Sequence, residues 1–504
     1  MNRRTFMALV SSSIATNRAI SALSAVPENQ EAATPSVSGA QPVQRRPNVI
    51  FLICDDLGYG DIHCYGSQLP TPNIDRLAAE GMRFTRFNSA QPICSASRAA
   101  LLTGRYGLRS GTTGAFHPGS KTGTALDETL LSNLFQATGY KTKAIGKWHL
   151  GDAPPYLPTN RGFDSFYGVP CSVDMYPLSL LRDLTVLEYD TDRDLLTPRY
   201  TEEAVRTIEQ SGEDPYFLYM AHSYPHDPAR ASERFRGSTG FGDVGDSIAE
   251  IDWSVGEIMR AVERKGQTSN TLICFVSDHG PWYQGCPGAL RGRKASTFEG
   301  GFRVPFIARW PGQIAAGKTE GEWCSSLDVL PTLSALCGLD TPVKPLDGID
   351  ISAILTGRGH VPERKPILYF SPMGNDGLDV HCIRKGDWKL RVAQGTEGEI
   401  YINDRTTQAR QSAWLERPEL YNLARDPAES YNVAKSQPGI VAELMRSLEA
   451  QMPSFPVEVV AAYTKLKERP GDISTPPGAS PRPYKQPLEE GSWEPDDRRW
   501  PSHD

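Results

Sequence analysis

Apolar runs that end abruptly in carboxylates are the feature that most constrains the fold of this 504-residue chain. One run begins at Val49 and ends in Asp55 and Asp56, and another begins at Thr271 and ends in Asp278. Such runs are typical of buried strands in a parallel sheet, whose carboxyl ends meet at one edge. Ligands collect beyond that edge, so we expect the three carboxylates to share a crevice.

The paired aspartates after the first run need a physical explanation. Adjacent carboxylates repel each other and lose hydration when buried, unless a cation lies between them, and hard divalent ions take carboxylate oxygens. The alternative is an Asp-Asp-Leu-Gly turn with both carboxylates of Asp55 and Asp56 in water.

Strand-like and helical patterns alternate through the first 300 residues. Strands are expected at 49–54, 141–145, 216–221 and 271–276, and helices at 73–79, after Cys94 and at 245–265. This alternation predicts an α/β fold in which helices cover both faces of a mostly parallel sheet. Past a composition shift at 358–365, short apolar runs with turn residues between them precede a final helix near 439–452.

Charge and hydropathy exclude two classes of partner. The net charge of -7 provides no basic face for nucleic acid. Hydrophobic residues make up 39% of the chain without a long apolar run after residue 25, so we expect a globular protein with no membrane span. Of the nine cysteines, Cys54 and Cys274 lie in predicted buried strands and are expected to be free thiols, while no pairing can be read from spacing.

The amino terminus has the composition of a targeting segment. Residues 2–7, Asn-Arg-Arg-Thr-Phe-Met, resemble a twin-arginine export signal, and residues 8–25 are apolar, small and serine-rich. We therefore expect an export signal at 1–25 and a periplasmic or extracellular protein, with a plain disordered terminus as the alternative. Residues 26–46, rich in Ala, Pro, Ser and Gln, are expected to form a linker.

Cys94 has a setting that suits a reactive side chain. It precedes Ser95-Ala96-Ser97-Arg98 and a run of helix formers, which puts it at a predicted helix amino terminus. The helix end and Arg98 both favour an anion there, including a thiolate. The alternative is a buried structural cysteine, which is the commoner case.

Four cationic or titratable side chains stand in distinctive contexts. They are Lys147 and His149 in Gly-Lys-Trp-His-Leu-Gly, His226 in Tyr-Pro-His-Asp-Pro, and Lys294 in Arg-Gly-Arg-Lys. Taken singly, each lysine would be assigned to the solvated surface.

The pattern Cys-x-Ala-x-Arg at 94–98, followed by Leu-Leu-Thr-Gly-Arg at 101–105, resembles the signature of type I sulfatases. These are arylsulfatase-like members of the alkaline phosphatase superfamily. The aspartate segments and the four side chains above follow in the family's order, and Thr-x-Glu-Gly-Gly follows Lys294 as in many relatives. The resemblance covers about residues 47 to 460.

The resemblance implies a domain plan. A catalytic α/β domain at 47–361 would contain the large sheet between helices, and a smaller C-terminal domain at 362–462 would pair an antiparallel sheet with a helix. Residues 463–504, rich in Pro, Gly and charge, would form a tail.

The resemblance also implies the site. Cys94 would be oxidised by a separate maturation enzyme to formylglycine (3-oxoalanine). Asp55, Asp56, residue 94, Asp278 and His279 would bind a divalent cation, Ca²⁺ with Mg²⁺ as the alternative. His279 stands where many relatives carry asparagine, and imidazole is a softer ligand, so His279 either ligates the ion or hydrogen-bonds beside it.

In the implied chemistry, a hydrated formylglycine attacks the sulfur of a sulfate ester and forms a covalent sulfate on residue 94. Asp278 would take a proton from the attacking hydroxyl, His226 would protonate the departing alcohol, and His149 would be the base that restores the aldehyde. Arg98, Lys147 and Lys294 would neutralise the transferring group, and Lys147, Ser172, His226 and Lys294 would contact the substrate.

Two other functions stay open at this point. Phosphate and phosphonate ester hydrolases share the superfamily, and a tetrahedral anion suits the same cationic pocket. A catalytically inactive homologue with an unoxidised Cys94 could instead bind sulfated glycans without cleaving them. The expected substrate is a sulfated carbohydrate, because an exported hydrolase meets such polymers, and the loops at 152–177 and 281–290 are expected to set specificity.

Overall fold

The computed structural model describes residues 46–372, 377–395 and 412–469. The expected export signal, the linker up to residue 45 and the tail from residue 470 lie outside the described residues. Over the described ranges, no helix combines the length and the apolar composition needed to cross a bilayer.

An eleven-stranded sheet forms the larger part of the fold. Its strands are β1 (Asn48–Cys54), β2 (Met82–Asn88), β3 (Lys141–Lys147), β4 (Ser165–Val169), β5 (Leu180–Arg182), β6 (Thr185–Glu188), β7 (Tyr216–Ala221), β8 (Thr271–Ser277), β9 (Arg303–Arg309), β10 (Lys318–Glu320) and β11 (Cys324–Ser325). Their order is β10-β2-β9-β8-β1-β7-β3-β4-β5-β6, with β11 also paired to β2.

The five central strands, from β8 to β4, are parallel, as the alternating pattern predicted. The sheet is thus mostly parallel, as expected, and the antiparallel pairs lie on its flanks. β9 runs antiparallel between β8 and β2, and β5 and β6 form an antiparallel hairpin at the other edge. The sheet is therefore mixed, with its parallel pairs concentrated where both faces are covered.

Helices on both faces confirm the expected layers. They are α1 (Pro72–Ala79), α2 (Cys94–Thr103), α3 (Leu131–Ala137), α4 (Leu196–Glu209), α5 (Gly242–Arg264), α6 (Glu299–Phe302), α7 (Val329–Cys337) and α8 (Ser352–Leu355). β1 alternates between two apolar cores: Val49, Phe51 and Ile53 pack with α2, α3 and α7, whereas Ile50 and Leu52 pack with α1, α4 and α5. Each face of the strand thus has its own helical cover.

The register of the central strands brings their carboxyl ends level. Cys54 of β1 is opposite Ser277 of β8, and Ile53 is opposite Ala221 of β7. β3 runs two residues further than expected because Gly146, at φ 92°, allows a close approach: a Cβ there would lie 1.9 Å from the carbonyl oxygen of Ala221.

The C-terminal part is an antiparallel sheet of β12 (Ile367–Ser371), β13 (Asp379–Lys385), β14 (Trp388–Gly395) and β15 (Ser412–Asn422), in that order. Helices α9 (Pro438–Gln451) and α10 (Val457–Lys467) share an apolar core with it. The expected sheet with a packed helix is confirmed. The second helix was not expected, and it continues past residue 462, where the pattern had suggested a tail.

Candidate active site

The carboxyl ends of β1 and β8 bring three buried carboxylates together. Asp55 and Asp56 follow β1, Asp278 follows β8, and each is at most 2% exposed. Arg98 joins two of them: its Nη2 lies 3.2 Å from Asp55 Oδ1, and its Nε donates to Asp278 Oδ2 at 3.0 Å. Asp56 has φ 64°, a strained conformation for a residue other than glycine and one that is frequent at functional sites.

Cys94 is the first residue of α2, at the helix amino terminus that the motif predicted. It is buried, and Arg98 lies one turn further along the same helix. Burial opposes ionisation of the thiol, but attraction to Lys147, Lys294 and His279 outweighs it, so the pKa of Cys94 is well below its usual value. The pocket therefore stabilises an anion on residue 94.

Four possible ligand groups converge on one point. Single atoms of Asp55, Asp56, Cys94 and His279 all lie within 4.8 Å of one another, and all four residues are buried. His279 Nε2 is 3.3 Å from Cys94 Sγ and 3.4 Å from Asp56 Oδ1. Across the described ranges, no other set of three or more His, Cys, Asp or Glu side chains meets this criterion.

The donor set fits a divalent cation. Two carboxylates supply hard oxygen ligands, and Nδ1 of His279 lies 2.9 Å from the carbonyl oxygen of Gly280, which leaves Nε2 facing the cluster. Burial disfavours a charged imidazole, yet attraction to Asp278, Cys94 and Asp56 raises the pKa of His279 to about 9. The cluster thus favours positive charge at the point where an ion would bind.

Asp278 lies beside this group rather than within it. Its Oδ1 accepts hydrogen bonds from the backbone N–H groups of Asp56 at 3.2 Å and His279 at 2.9 Å. Its Oδ2 accepts from Arg98, and burial raises the pKa of the carboxyl to about 6. These three donors hold the side chain in one orientation.

Two lysines neutralise the aspartates. Lys147 ends β3, and its Nζ lies 2.5 Å from Asp55 Oδ2 and 2.9 Å from Ser172 Oγ. Lys294 Nζ lies 2.9 Å from each carboxylate oxygen of Asp56. Burial opposes both ammonium charges, but attraction to Asp55 raises the pKa of Lys147, and attraction to Asp56 raises that of Lys294.

The two histidines differ in protonation. His149 is buried, its Nε2 lies 2.9 Å from the carbonyl oxygen of Phe116, and burial together with Lys147 lowers its pKa. Burial opposes charge on His226 too, but Asp56 outweighs it and raises the pKa of His226 to about 9. His149 is therefore suited to accept a proton and His226 to donate one.

Nε2 of His226 is the ring nitrogen directed at the pocket. Nδ1 lies 2.6 Å from the backbone carbonyl oxygen of Asp227, whereas Nε2 lies 2.9 Å from Lys294 Nζ and 3.4 Å from Ser172 Oγ. A carbonyl oxygen accepts only, so the proton of the neutral ring is on Nδ1.

The loop bearing Lys294 is held against β8 by main-chain contacts. The N–H of Lys294 donates to the carbonyl oxygen of Pro281 at 2.8 Å, and the N–H of Gly280 donates to Gly301 at 3.0 Å. A Cβ on Gly280 would lie 1.9 Å from the carbonyl oxygen of Gly300, so only glycine permits this approach.

All eleven residues that the sequence pointed to lie in this one connected cluster: Asp55, Asp56, Cys94, Arg98, Lys147, His149, Ser172, His226, Asp278, His279 and Lys294. Sequence reasoning missed Asp174, whose Oδ1 lies 3.9 Å from His226 Nε2. The available signal was its position two residues after Ser172.

Comparison with known proteins agrees with this geometry. The Sulfatase family model matches residues 47–339. Human arylsulfatase A is 36% identical over 484 residues, which cover 88% of this chain and 95% of that protein. Human N-acetylgalactosamine-6-sulfatase is 33% identical over 496 residues, covering 88% and 95%. The crystal structure of Ps i-CgsB in complex with k-i-k-neocarrahexaose has a TM-score of 0.69 and 29% identity, covering 80% of this chain and 92% of that one.

The fold and the buried cationic pocket define a hydrolase of the alkaline phosphatase superfamily. With these matches, the chain belongs to the type I sulfatase family and is a sulfuric ester hydrolase. Membership implies a metal ion and a formylglycine made from a cysteine, and the buried cluster of Asp55, Asp56, Cys94 and His279 fits both.

Proposed function

We propose that this protein hydrolyses sulfate esters of carbohydrates, with formylglycine derived from Cys94 as the nucleophile. The single observation that carries the proposal is the convergence of Asp55, Asp56, Cys94 and His279 within 4.8 Å, at a helix amino terminus and between two lysines. A separate maturation enzyme would make the formylglycine, as membership of the type I sulfatase family implies.

The cation in this proposal is Ca²⁺, with Mg²⁺ as the alternative. Asp55, Asp56, residue 94 and His279 would hold it, with Asp278, whose Oδ1 lies 3.7 Å from His279 Nε2, as the further ligand that the family resemblance implies. When bound, the ion supplies Lewis-acid activation and neutralises negative charge. The carboxylate oxygens of Asp55 and Asp56 favour Ca²⁺ and Mg²⁺, and Ca²⁺ accepts the less regular coordination of the two. Imidazole is a softer ligand than oxygen, so His279 either ligates the ion or hydrogen-bonds beside it.

The fixed cations bind the sulfate group. Lys147 and Lys294 direct their ammonium groups into the pocket, and Ser172 adds a hydroxyl 2.9 Å from Lys147. Arg98 acts on the other side of the cluster, where it orients the carboxylates of Asp55 and Asp278. Charges held in place before the substrate arrives stabilise the developing negative charge without reorganisation.

Three side chains move protons in the proposal. His226 donates from Nε2 to the oxygen of the departing alcohol, and its raised pKa keeps that proton available. Asp278 accepts a proton from the nucleophile, and its pKa of about 6 suits a base near neutral pH. His149, neutral because its pKa is lowered, accepts the second proton, which releases sulfate.

A carbohydrate is the proposed alcohol for two reasons. The first is that one relative is named N-acetylgalactosamine-6-sulfatase and one structural neighbour was solved in complex with k-i-k-neocarrahexaose. The Arg-Arg-containing leader at 1–25 supports export to the periplasm or beyond, where sulfated polysaccharides occur.

The first experiment is mass spectrometry of the peptide that contains residue 94, from protein produced in its native host. An aldehyde supports the proposal. An unmodified thiol, together with binding of sulfated glycans without turnover, would instead identify a silent binding protein.

Turnover assays then separate the ester classes. Aryl sulfate, aryl phosphate and aryl phosphonate esters are compared side by side, followed by a panel of sulfated mono- and polysaccharides. We expect sulfate esters to be preferred and sugar sulfates to be turned over. Preference for a phosphorus ester, or turnover restricted to small aryl and alkyl sulfates, would contradict the proposal.

A further inference from the structure

We propose that the segment Ser172–Tyr176 forms a sugar subsite beside the sulfate pocket. In it, Asp174 accepts hydrogen bonds from hydroxyl or ammonium groups of the ring that carries the ester, and it selects against a second acidic group next to that ester. The inference rests on the proposed function and names its substrate class: sulfate esters of neutral or amino sugars.

Asp174 is directly beside the reacting groups. Its Oδ1 lies 3.9 Å from His226 Nε2, and its carboxylate is hydrogen-bonded to Ser172, which also contacts Lys147. In the proposed function Ser172 contacts the sulfate group and His226 the departing oxygen, so the ring attached to that oxygen would lie beside Asp174.

Asp174 differs from the other carboxylates of the site in its exposure. Its side chain is 46% exposed, whereas those of Asp55 and Asp56 are at most 2% exposed. An incoming ring can therefore reach Asp174 but not the buried pair. Partial desolvation by the surrounding pocket opposes its ionisation, but attraction to His226 and Lys147 outweighs this and lowers the pKa of Asp174, so the group is an acceptor only.

The segment is held in place before any substrate binds. Arg193 donates from Nε to the carbonyl oxygen of Val173 at 2.9 Å and from Nη2 to that of Met175 at 3.1 Å. The Arg193 side chain is 10% exposed, and its guanidinium lies 4.0 Å from the centroid of the Tyr176 ring. A fixed loop loses little entropy on binding, which is a property of binding subsites.

Tyr176 supplies an apolar surface at the end of the same segment. The residue is 54% exposed, although Arg193 covers part of its ring. Exposed aromatic rings held by a neighbouring cation provide area at low entropic cost, and the C–H face of a pyranose is a suitable partner.

A second carboxylate makes this rim acidic. Asp227 follows His226 and accepts a hydrogen bond from Gln284 Nε2 at 2.6 Å. It is close enough to Asp174 for the two carboxylates to repel each other. A carboxylate or second sulfate on the ring would approach both Asp174 and Asp227. Like charges a few ångströms apart repel, and the repulsion would be felt on this side of the pocket only.

The test compares Asp174→Asn with a matched control, Asp214→Asn. Asp214 is exposed and precedes β7, so it lies at the amino ends of the central strands, away from the active site. Its carboxylate lies 3.8 Å from Lys141 Nζ. Three substrates are used with each protein: a small aryl sulfate, an N-acetylated amino-sugar sulfate whose ring is otherwise neutral, and the same sugar sulfate with an N-sulfo group in place of the N-acetyl group next to the ester.

We expect the wild-type protein to prefer the neutral sugar sulfate to its doubly acidic analogue. Asp174→Asn should lower kcat/KM for the neutral sugar about tenfold, mainly through KM, because a charged acceptor is lost. The same variant should reduce the preference for the neutral sugar about fivefold, because one like charge is removed. Asp174→Glu, which retains the charge, should restore that preference, and Asp214→Asn should change neither quantity.

Two results would overturn the proposal. One is an Asp174→Asn variant whose rates on all three substrates fall by one common factor, since Asp174 would then act only through His226. The other is a wild-type protein that turns over the doubly acidic sugar as well as the neutral one. If the wild-type protein hydrolyses aryl sulfate but no sugar sulfate, the proposed carbohydrate function fails first, and the subsite fails with it.

Discussion

Two buried clusters of charged residues in the described part of the chain have different roles, one in the active site and one in the structure. The active-site cluster consists of Asp55, Asp56, Cys94, Arg98, Lys147, Asp278, His279 and Lys294. The interface cluster lies where the C-terminal sheet meets the large one and consists of Glu299, Arg303, Arg384, Lys389 and Glu429.

In the interface cluster, donors surround one carboxylate completely. Oε2 of Glu299 accepts from Asn88 at 3.1 Å, Arg303 at 2.9 Å and Arg384 at 3.3 Å. Its Oε1 accepts from Tyr369 and Lys389, each at 3.3 Å or less. Burial opposes the charge of Glu299, but Lys389, Arg384 and Arg303 outweigh it and lower its pKa.

In the active-site cluster, by contrast, the possible metal-ligand groups lie close to one another. Ligand atoms of Asp55, Asp56, Cys94 and His279 come within 4.8 Å, and the lysines approach from outside. Both clusters are buried, so burial of charge does not by itself identify a functional site. A structural cluster saturates its acids with fixed donors, whereas a functional one gathers acids that still favour a cation.

The interface cluster also supports the active site. Glu299 follows Lys294 by five residues, and its backbone N–H donates to Glu429 Oε2 at 2.5 Å. The C-terminal sheet, through Lys389, thus anchors the loop that carries one of the pocket lysines.

The largest effect is expected from Cys94→Ser. An unoxidised serine has only one hydroxyl, so its sulfate ester could not release sulfate by reforming an aldehyde, and turnover should fall by about 10³-fold or more, or stop after one sulfated product. Aryl sulfate assays and intact-mass spectrometry measure this, and Cys274→Ser, in a buried strand away from the cluster, is the control for loss of a cysteine. Normal multiple turnover by Cys94→Ser would refute the assigned nucleophile.

The next effect tests the interface cluster. Lys389→Met leaves Glu299 and Glu429 without their shared cation, and breaking a buried ion pair costs about 3–5 kcal/mol. Denaturant unfolding measures the free energy. Lys385→Met breaks an ion pair with Glu443 that is about half exposed on both sides, and solvent screens such a pair, so this variant should lose far less stability. Equal losses in the two variants would remove the distinction between buried and exposed pairing here.

Stabilisation by a bound cation should depend on the active-site cluster and not on the interface cluster. Addition of Ca²⁺ at 100 times its Kd should stabilise the wild-type protein by about 3 kcal/mol. Asp56→Asn should lose most of that increment, whereas Lys389→Met, although destabilised, should retain it. Thermal unfolding with and without a chelator measures the increments. A similar increment in Asp56→Asn would show that the ion binds elsewhere.

The smallest effect concerns a buried group with no charged partner. His222 is fully buried, neither ring nitrogen has a hydrogen-bond partner among the described residues, and burial lowers its pKa to about 4. In the unfolded chain the value is about 6.5, so between these pH values only the unfolded state takes up the proton. Stability should therefore fall as the pH decreases through this window.

A variant isolates that contribution. His222→Phe has no titrating ring, so the stability difference between the two proteins should shift by about 2–3 kcal/mol between pH 7.5 and 4.5, in favour of the variant at low pH. His360→Phe, at a position where the ring is 91% exposed, controls for loss of a histidine. Parallel pH profiles for wild-type and His222→Phe would contradict this assignment.

The sequence by itself determined the layered α/β class and the place of Asp55, Asp56 and Asp278 at the carboxyl ends of strands, and its resemblance to the sulfatase motifs supplied the other members of the active-site cluster. Apolar periodicity reports which face of an element is buried, and abrupt strand ends and short motifs mark where chemistry-bearing residues leave the core. For this reason β1, β8 and the start of α2 were predictable, together with the proximity of Asp55 and Asp278.

Only the tertiary structure decided how separate elements meet. The antiparallel flanks of the sheet, the orientation of Asp278 towards Arg98, and the place of Asp174 at the pocket rim depend on contacts between residues far apart in sequence. The same holds for Lys389, which looks like an ordinary surface lysine in its strand until Glu299 and Glu429 pack against it. Local patterns record burial along one element, whereas the partner of a buried charge is set by packing.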